Sequence, residues 1–202
     1  MHDIADNASQ SMAAAASDLQ LPKARTVRIV SDSSKSGHAV YSFDLEPYPY
    51  VFVSQISATQ WLELQRDTTH LEARAVTLAL EHALSDRQLR RAVAGADVIW
   101  ISDNQALVSL LSSGPRRLPN NVSASVIECH RIFHVIALLD IKVRWVWSSR
   151  DRPAIRLADQ LSRMPTERLT SAKVKQAIWD LQGPVLADLA KGLAGTAAAT
   201  TR

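Results

Sequence analysis

At Thr69 the hydrophobic period of the chain changes from two to 3.6, and that change narrows the folds open to it. Before it, three stretches read as strands. Residues 26–32 are an apolar run, HAVYSFDL (38–45) alternates, and YVFVSQIS (50–57) follows Pro47 and Pro49. Lys35, Ser36 and Gly37 form a turn between the first two. Proline has no amide to give to a ladder, which confines the start of the third strand to an edge or loop. Three sequential strands with short turns predict an antiparallel meander. From Thr69 onward Leu71, Ala75, Leu78, Ala79 and His82 lie on one helical stripe, with Thr68 or Thr69 as N-cap. Residues 98–102 make a further strand. Asp103 and Asn104 then cap the helix QALVSLLSSG, which Gly114 stops. A long helix over 122–139, a strand IKVRWVW (141–147) and a loop passing into a helix over 153–163 complete the pattern. Strands that alternate with helices join a sheet in parallel, so the sequence predicts an α/β domain whose sheet is mixed.

The domain is expected to occupy residues 25–164. Residues 1–24 are rich in Ala, Ser, Asp and Asn and read as a mobile arm, and 165–202 as a helical extension and tail. In that extension Val174, Ile178, Leu181 and Val185 give an amphipathic pattern interrupted at Gly183 and Pro184. With 47% hydrophobic residues in 202, a sizeable core is within reach. The excess of 23 Lys and Arg over 20 acids leaves a net charge of only +3, a weak pointer to nucleic acid. Cys129 is the single cysteine, which excludes an intramolecular disulfide framework and a cysteine-based zinc site. The start has no basic region followed by an apolar one, and no stretch approaches the roughly 18 apolar residues of a membrane span. These features predict a soluble intracellular protein, cytoplasmic or nuclear, with no membrane partner.

Four carboxylates stand at borders between apolar and polar segments: Asp32, Glu72, Asp103 and Asp159. A sheet that gathers them at one end needs a cation among them, because mutually close acids cannot all stay charged. An all-oxygen donor set suits magnesium better than a softer ion. The chemistry this fits is attack of water on a phosphodiester, where two divalent ions about 4 Å apart activate the nucleophile and stabilise the leaving oxygen. Each acid also has a plain structural role open to it: Asp103 as a helix cap, Glu72 as a first-turn acid facing the helix dipole.

The series VSDSSKSGHAV, HLEARAVTLAL, ISDNQALVSLLSSG and WVWSSRD with LADQLSR resembles the ribonuclease H domain of retroelement polymerases, especially those of long-terminal-repeat and tyrosine-recombinase retrotransposons. The resemblance covers roughly residues 26–164. It implies a ribonuclease H-like, five-stranded mixed sheet flanked by helices, and cleavage of the RNA strand of an RNA/DNA hybrid with two Mg2+ or Mn2+ ions. Carried over residue by residue, Asp32, Glu72 and Asp103 are the main ligands and Asp159 the fourth, all four catalytic. Ser33, Ser34, His70, Asn104, Arg150 and Arg152 fall where substrate contacts are expected. A reverse transcriptase polymerase domain is the implied partner, although no Tyr-x-Asp-Asp motif occurs in this chain. Two departures stand out: Ile155 occupies a position where many relatives carry Asn, and SSRDRPAIRL lacks the loop histidine of some ribonucleases H. Two rival readings share the fold: a DNA-directed nuclease or recombinase core, and a non-catalytic binding module.

Other features have ordinary explanations. Arg116 and Arg117, in the loop GPRRLPNN, fit phosphate contact and a solvated basic face equally well. Trp145 and Trp147 share a strand face and are expected in the core. His130 and His134 are one helical turn apart without partners at metal-site spacing, and Cys129 reads as a small core residue.

Overall fold

The computed structural model describes residues 25–45, 49–115, 123–169 and 172–197. The arm expected over 1–24, the arginines 116 and 117, and the end of the tail lie outside them. Five strands form one sheet: β1 (Thr26–Ser33), β2 (Gly37–Ser42), β3 (Tyr50–Gln55), β4 (Asp97–Ser102) and β5 (Lys142–Trp147). The order across it is β3-β2-β1-β4-β5, with β1/β2 and β2/β3 antiparallel and β1/β4 and β4/β5 parallel. This is the predicted meander extended by two parallel strands.

The helices are α1 (Ala58–Leu64), α2 (Thr68–Ser85), α3 (Arg87–Val93), α4 (Gln105–Ser112), α5 (Ala124–Leu139), α6 (Pro153–Ser162), α7 (Thr166–Leu169), α8 (Ala172–Asp180) and α9 (Gln182–Ala197). They cover both sheet faces, which is why the inner strands read as continuous apolar runs. Val27, Ile29, Val40, Val98 and Trp100 point to one face, where Val76, Ala79 and Leu80 of α2, Leu107 and Leu111 of α4, and Ile132, Val135 and Leu139 of α5 meet them. The alternate residues Val30, Ala39, Tyr41, Ile99 and Ile101 point to the other face. There they meet Ile155, Ala158 and Leu161 of α6 with Ile178, Val185 and Leu189 of α8 and α9. The C-terminal extension thus roofs α6 and adds to the second core.

Several boundaries differ from the expectation, each for a local reason. The N-cap of α2 is Asp67, whose Oδ1 accepts from His70 N at 3.0 Å, and neither threonine is used. Asn104 alone caps α4, its Oδ1 accepting from Leu107 N at 2.9 Å, and the Asp103 carboxylate takes no part in the cap. Strand β2 stops at Ser42, where Asp44 turns back to hold Arg28 in a 2.6 Å ion pair. Strand β3 ends at Gln55, and Ser57 opens α1 through a reciprocal capping box with Gln60. Helix α6 starts directly at Pro153, because a proline at the first helical position lacks only an amide that would have no partner. For the same reason Gly183 and Pro184 lie in the first turn of α9 and do not interrupt it. Gly114 follows α4 with φ +72, the left-handed stop that its place in the sequence predicts. Trp147 departs furthest: it is 50% exposed, whereas Trp145 lies against Trp100 in the core.

Gly37 stands where β2, β3 and α6 meet. A Cβ there lies 2.6 Å from the Ser54 carbonyl oxygen and 3.1 Å from that of Ser162, both backbone atoms that move only with their elements. Gly37→Ala is therefore expected to cost about 1–3 kcal/mol, as overpacking does, read as a lower urea midpoint at unchanged slope.

Candidate metal centre

Asp32 is on β1, in the register Asp32↔Ala39 with β2. Glu72 lies in the first turns of α2, and Asp103 follows the last residue of β4, which runs parallel to β1. Parallel pairing puts the two strand ends side by side, and α2 crosses the same edge. One carboxylate oxygen from each of the three acids lies within 4.8 Å of the others. They are the only such set of His, Cys, Asp or Glu side chains among the described residues, so His130 and His134 belong to none.

The electrostatics of the trio are those of a site built around a positive charge. Burial first, then the neighbouring Asp103 and Asp159, together raise the Asp32 carboxyl to about 7 against the opposing bond from Ser162. Glu72 is pushed well above the usual carboxylate range, first by burial, then by Asp32 and Asp103. Glu72 Oε1 accepts from Ser33 N at 3.1 Å, while Oε2 is buried with no hydrogen-bond partner. An orphaned carboxylate oxygen among two further acids is a ligand atom waiting for a cation, and the donor set is all oxygen, so the residues fit Mg2+ or Mn2+.

Asp159 stands apart from the trio. It lies on α6, its side chain forms a 2.6 Å ion pair with Arg163, and that guanidinium lowers its pKa. Its link to the centre is Ser162, whose hydroxyl is 3.1 Å from Asp32 Oδ2 and 2.9 Å from the Asp159 carbonyl. Arg150 is 82% exposed and its Nε donates to Asp103 Oδ2 at 2.5 Å, so a cation already sits on the trio from the solvent side. Trp147, on no expectation from the sequence, fixes the same residue by donating its indole N–H to the Asp103 carbonyl at 3.0 Å.

The other candidate contacts divide. Ser34 is buried and donates to the Ser162 carbonyl at 2.9 Å, tying the β1–β2 turn to α6. Asn104 is spent on its helix cap. Arg152 is held by α9, through a 2.9 Å ion pair with Asp188 and a bond to its carbonyl. His70 is half-buried beside His38, Arg74 and Glu128 in a polar cleft behind Glu72. Ile155, at the position where relatives carry Asn, is fully buried in the second core.

The raised carboxyls have a consequence for stability. A carboxyl whose folded pKa exceeds its ordinary value binds more protons folded than unfolded, so its contribution is complete below 3.8 and is lost as pH rises through about 7. Metal-free protein should therefore melt progressively lower between those limits. Added Mg2+ should raise the melting temperature more at pH 8 than at pH 5, because protons compete for the same oxygens. An equal rise at both pH values would place the ion elsewhere.

No protein-family model matches the sequence, and no curated protein matches it. Among solved structures the chain is similar to LC11-RNase H1, a protein isolated from compost and solved in complex with an RNA/DNA hybrid, at 15% identity over 72% of this chain and 99% of that one, TM-score 0.49. It is also similar to RNase H1 of Halobacterium salinarum, at 14% identity over 67% of this chain and 93% of that one, TM-score 0.45. A third likeness is to the N-terminal RNase H domain of a Mycobacterium tuberculosis protein, at 14% identity over 67% and 95%, TM-score 0.44.

Proposed function

We propose that the chain is a metal-dependent endonuclease that cuts the RNA strand of RNA/DNA hybrids, a ribonuclease H of the retroelement type. The observation that carries this reading is the convergence of Asp32, Glu72 and Asp103 within 4.8 Å, with one buried carboxylate oxygen unpartnered. The motif series along residues 26–164 supports the retroelement assignment, and with it a reverse transcriptase polymerase domain as partner.

In this reading Asp32, Glu72 and Asp103 hold two Mg2+ or Mn2+ ions, and Asp159 completes the set from α6. Such ions, when bound, activate water as a nucleophile and stabilise the departing 3′-oxygen. The chain's own part is to keep the ligands rigid on strand ends and a helix, so that little reorganisation is needed. Ser162 holds Asp32, and Ser33 holds Glu72. Arg150 swings from Asp103 to the hybrid backbone, a contact without sequence information, and recognition then rests on helix shape and the 2′-hydroxyl. No described helix is long and apolar enough to cross a membrane.

The test is cleavage of a labelled RNA/DNA hybrid with Mg2+ or Mn2+, beside duplex DNA, duplex RNA and single-stranded RNA. Hybrid-only cutting is expected. Cutting of duplex DNA instead would make the domain a DNA-directed nuclease, and hybrid binding without cutting would make it a binding module.

A further inference from the structure

Glu72 reaches the centre from the helix side of the sheet, and what fixes it there is a polar chain that begins one strand further out. Ser33 is the residue after Asp32, and its side chain points to the α2 face. Its amide donates to Glu72 Oε1 at 3.1 Å, and its hydroxyl lies 3.4 Å from the Leu71 carbonyl, so it grips the first turns of α2 at two points. Directly opposite Ser33 in the β1–β2 ladder is His38, 2% exposed, with Nδ1 3.0 Å from Ser33 Oγ. An imidazole Nδ1–H that donates to Ser33 Oγ occupies a lone pair of that oxygen and turns its proton toward α2.

We propose that His38 is a positioning residue for the metal centre: through the Ser33 hydroxyl it fixes the turn of α2 that carries Glu72, so that the Ser33 amide can hold Oε1 and Oε2 is left to bind the ion. This rests on reading Asp32, Glu72 and Asp103 as a metal centre. Metal sites depend on such outer partners because an unsupported carboxylate spreads over several rotamers and loses affinity. Burial, with Arg74 nearby, lowers the His38 pKa to about 4, so the ring is neutral at working pH and one nitrogen is left to donate. The ring lies at the wall of the cleft shared with His70, Arg74 and Glu128, where Glu128 pairs with Arg74 at 3.1 Å and opposes that guanidinium's effect on His38.

The experiment is Mn2+ titration calorimetry on the substrate-free chain, with the melting temperature of the metal-free form measured alongside. His38→Leu removes the donor at similar volume, His38→Asn keeps an N–H near the Nδ1 position, and Ser33→Ala removes the hydroxyl that joins His38 to the Leu71 carbonyl while keeping the amide on Glu72 Oε1. His38→Leu and Ser33→Ala are expected to weaken Mn2+ binding about tenfold or more, the loss typical of outer-sphere partners. His38→Asn should restore most of it, and the double variant His38→Leu with Ser33→Ala should be no weaker than Ser33→Ala, since both cut one chain. Wild-type Mn2+ affinity in His38→Leu, or a lowered melting temperature with unchanged affinity, overturns the inference while leaving the metal centre standing. If His38→Leu does not fold, Ser33→Ala decides, and unchanged affinity there overturns it. Absence of Mn2+ binding in the unaltered chain, or binding that survives Asp103→Asn, overturns the metal centre itself.

Discussion

Asp32→Asn is expected to lower hybrid cleavage by at least about 1,000-fold, the scale on which single members of a catalytic set act. It should leave hybrid affinity equal or higher. Asparagine has nearly the shape of aspartate, so Ser162 can still bond it, but it offers a neutral oxygen where the centre needs a charged one. Binding should not suffer, because one negative charge is removed from a surface that must meet phosphate. The melting temperature of the metal-free variant separates catalysis from structure. At pH 8 the Asp32 carboxylate is charged at a cost, since burial and the nearby Asp103 and Asp159 raise its pKa to about 7. Removing the charge should make the metal-free chain more stable at pH 8 and change little at pH 4, where the group is protonated. A variant that is both inactive and less stable at pH 8 would mean that Asp32 serves the fold. One that cuts normally would remove the catalytic reading.

The sequence made the strand pattern legible because the two periods it mixes are far apart: alternation in 38–45 and 50–57, a 3.6 stripe from Thr69 onward. It also placed three acids at element ends, and topology then explains their meeting, since β1 and β4 are parallel neighbours whose ends coincide. What stayed illegible depends on partners distant in the chain. Helices α1 and α3 are one or two turns long, and their signals are caps, Ser57 with Gln60 and Asp86 with the amides of Gln88 and Leu89, not periodicity. The exposure of Trp147 follows from its place at the last residue of an edge strand, where the face that buries Trp145 has run out of helix. Arg152 and Asp188 are 36 residues apart, so no local pattern could show that α9 holds this arginine. His38 was one residue in an alternating strand. Only the ladder that sets it opposite Ser33 gives it a role.

Trp100→Ala is the substitution with the largest expected effect on stability, about 3–5 kcal/mol. The indole is 1% exposed in β4, the strand between β1 and β5, with its ring 5.8 Å from that of Trp145 and its Nε1 donating to Ser31 Oγ at 2.9 Å. Alanine would leave a large cavity beneath α2 and α5 and strip a buried serine of its partner, and neither loss can be mended by a small shift of neighbours held in a sheet. Against a total stability of about 5–15 kcal/mol for a domain of this size, the variant should be partly unfolded at 37 °C. Urea midpoints read the loss, and Trp100→Phe should fall between, since it keeps most of the volume and forfeits the Ser31 bond. A change below about 1 kcal/mol for Trp100→Ala would mean that this core is looser than its burial implies. The same residue bears on the centre at one remove. Asp103 is three positions further along the chain, and a β4 that shifts against β1 separates Asp103 from Asp32. Mn2+ affinity of the fraction that stays folded in the cold should therefore fall in Trp100→Ala and hold in Trp100→Phe, which ties the geometry of the ligands to the packing under them.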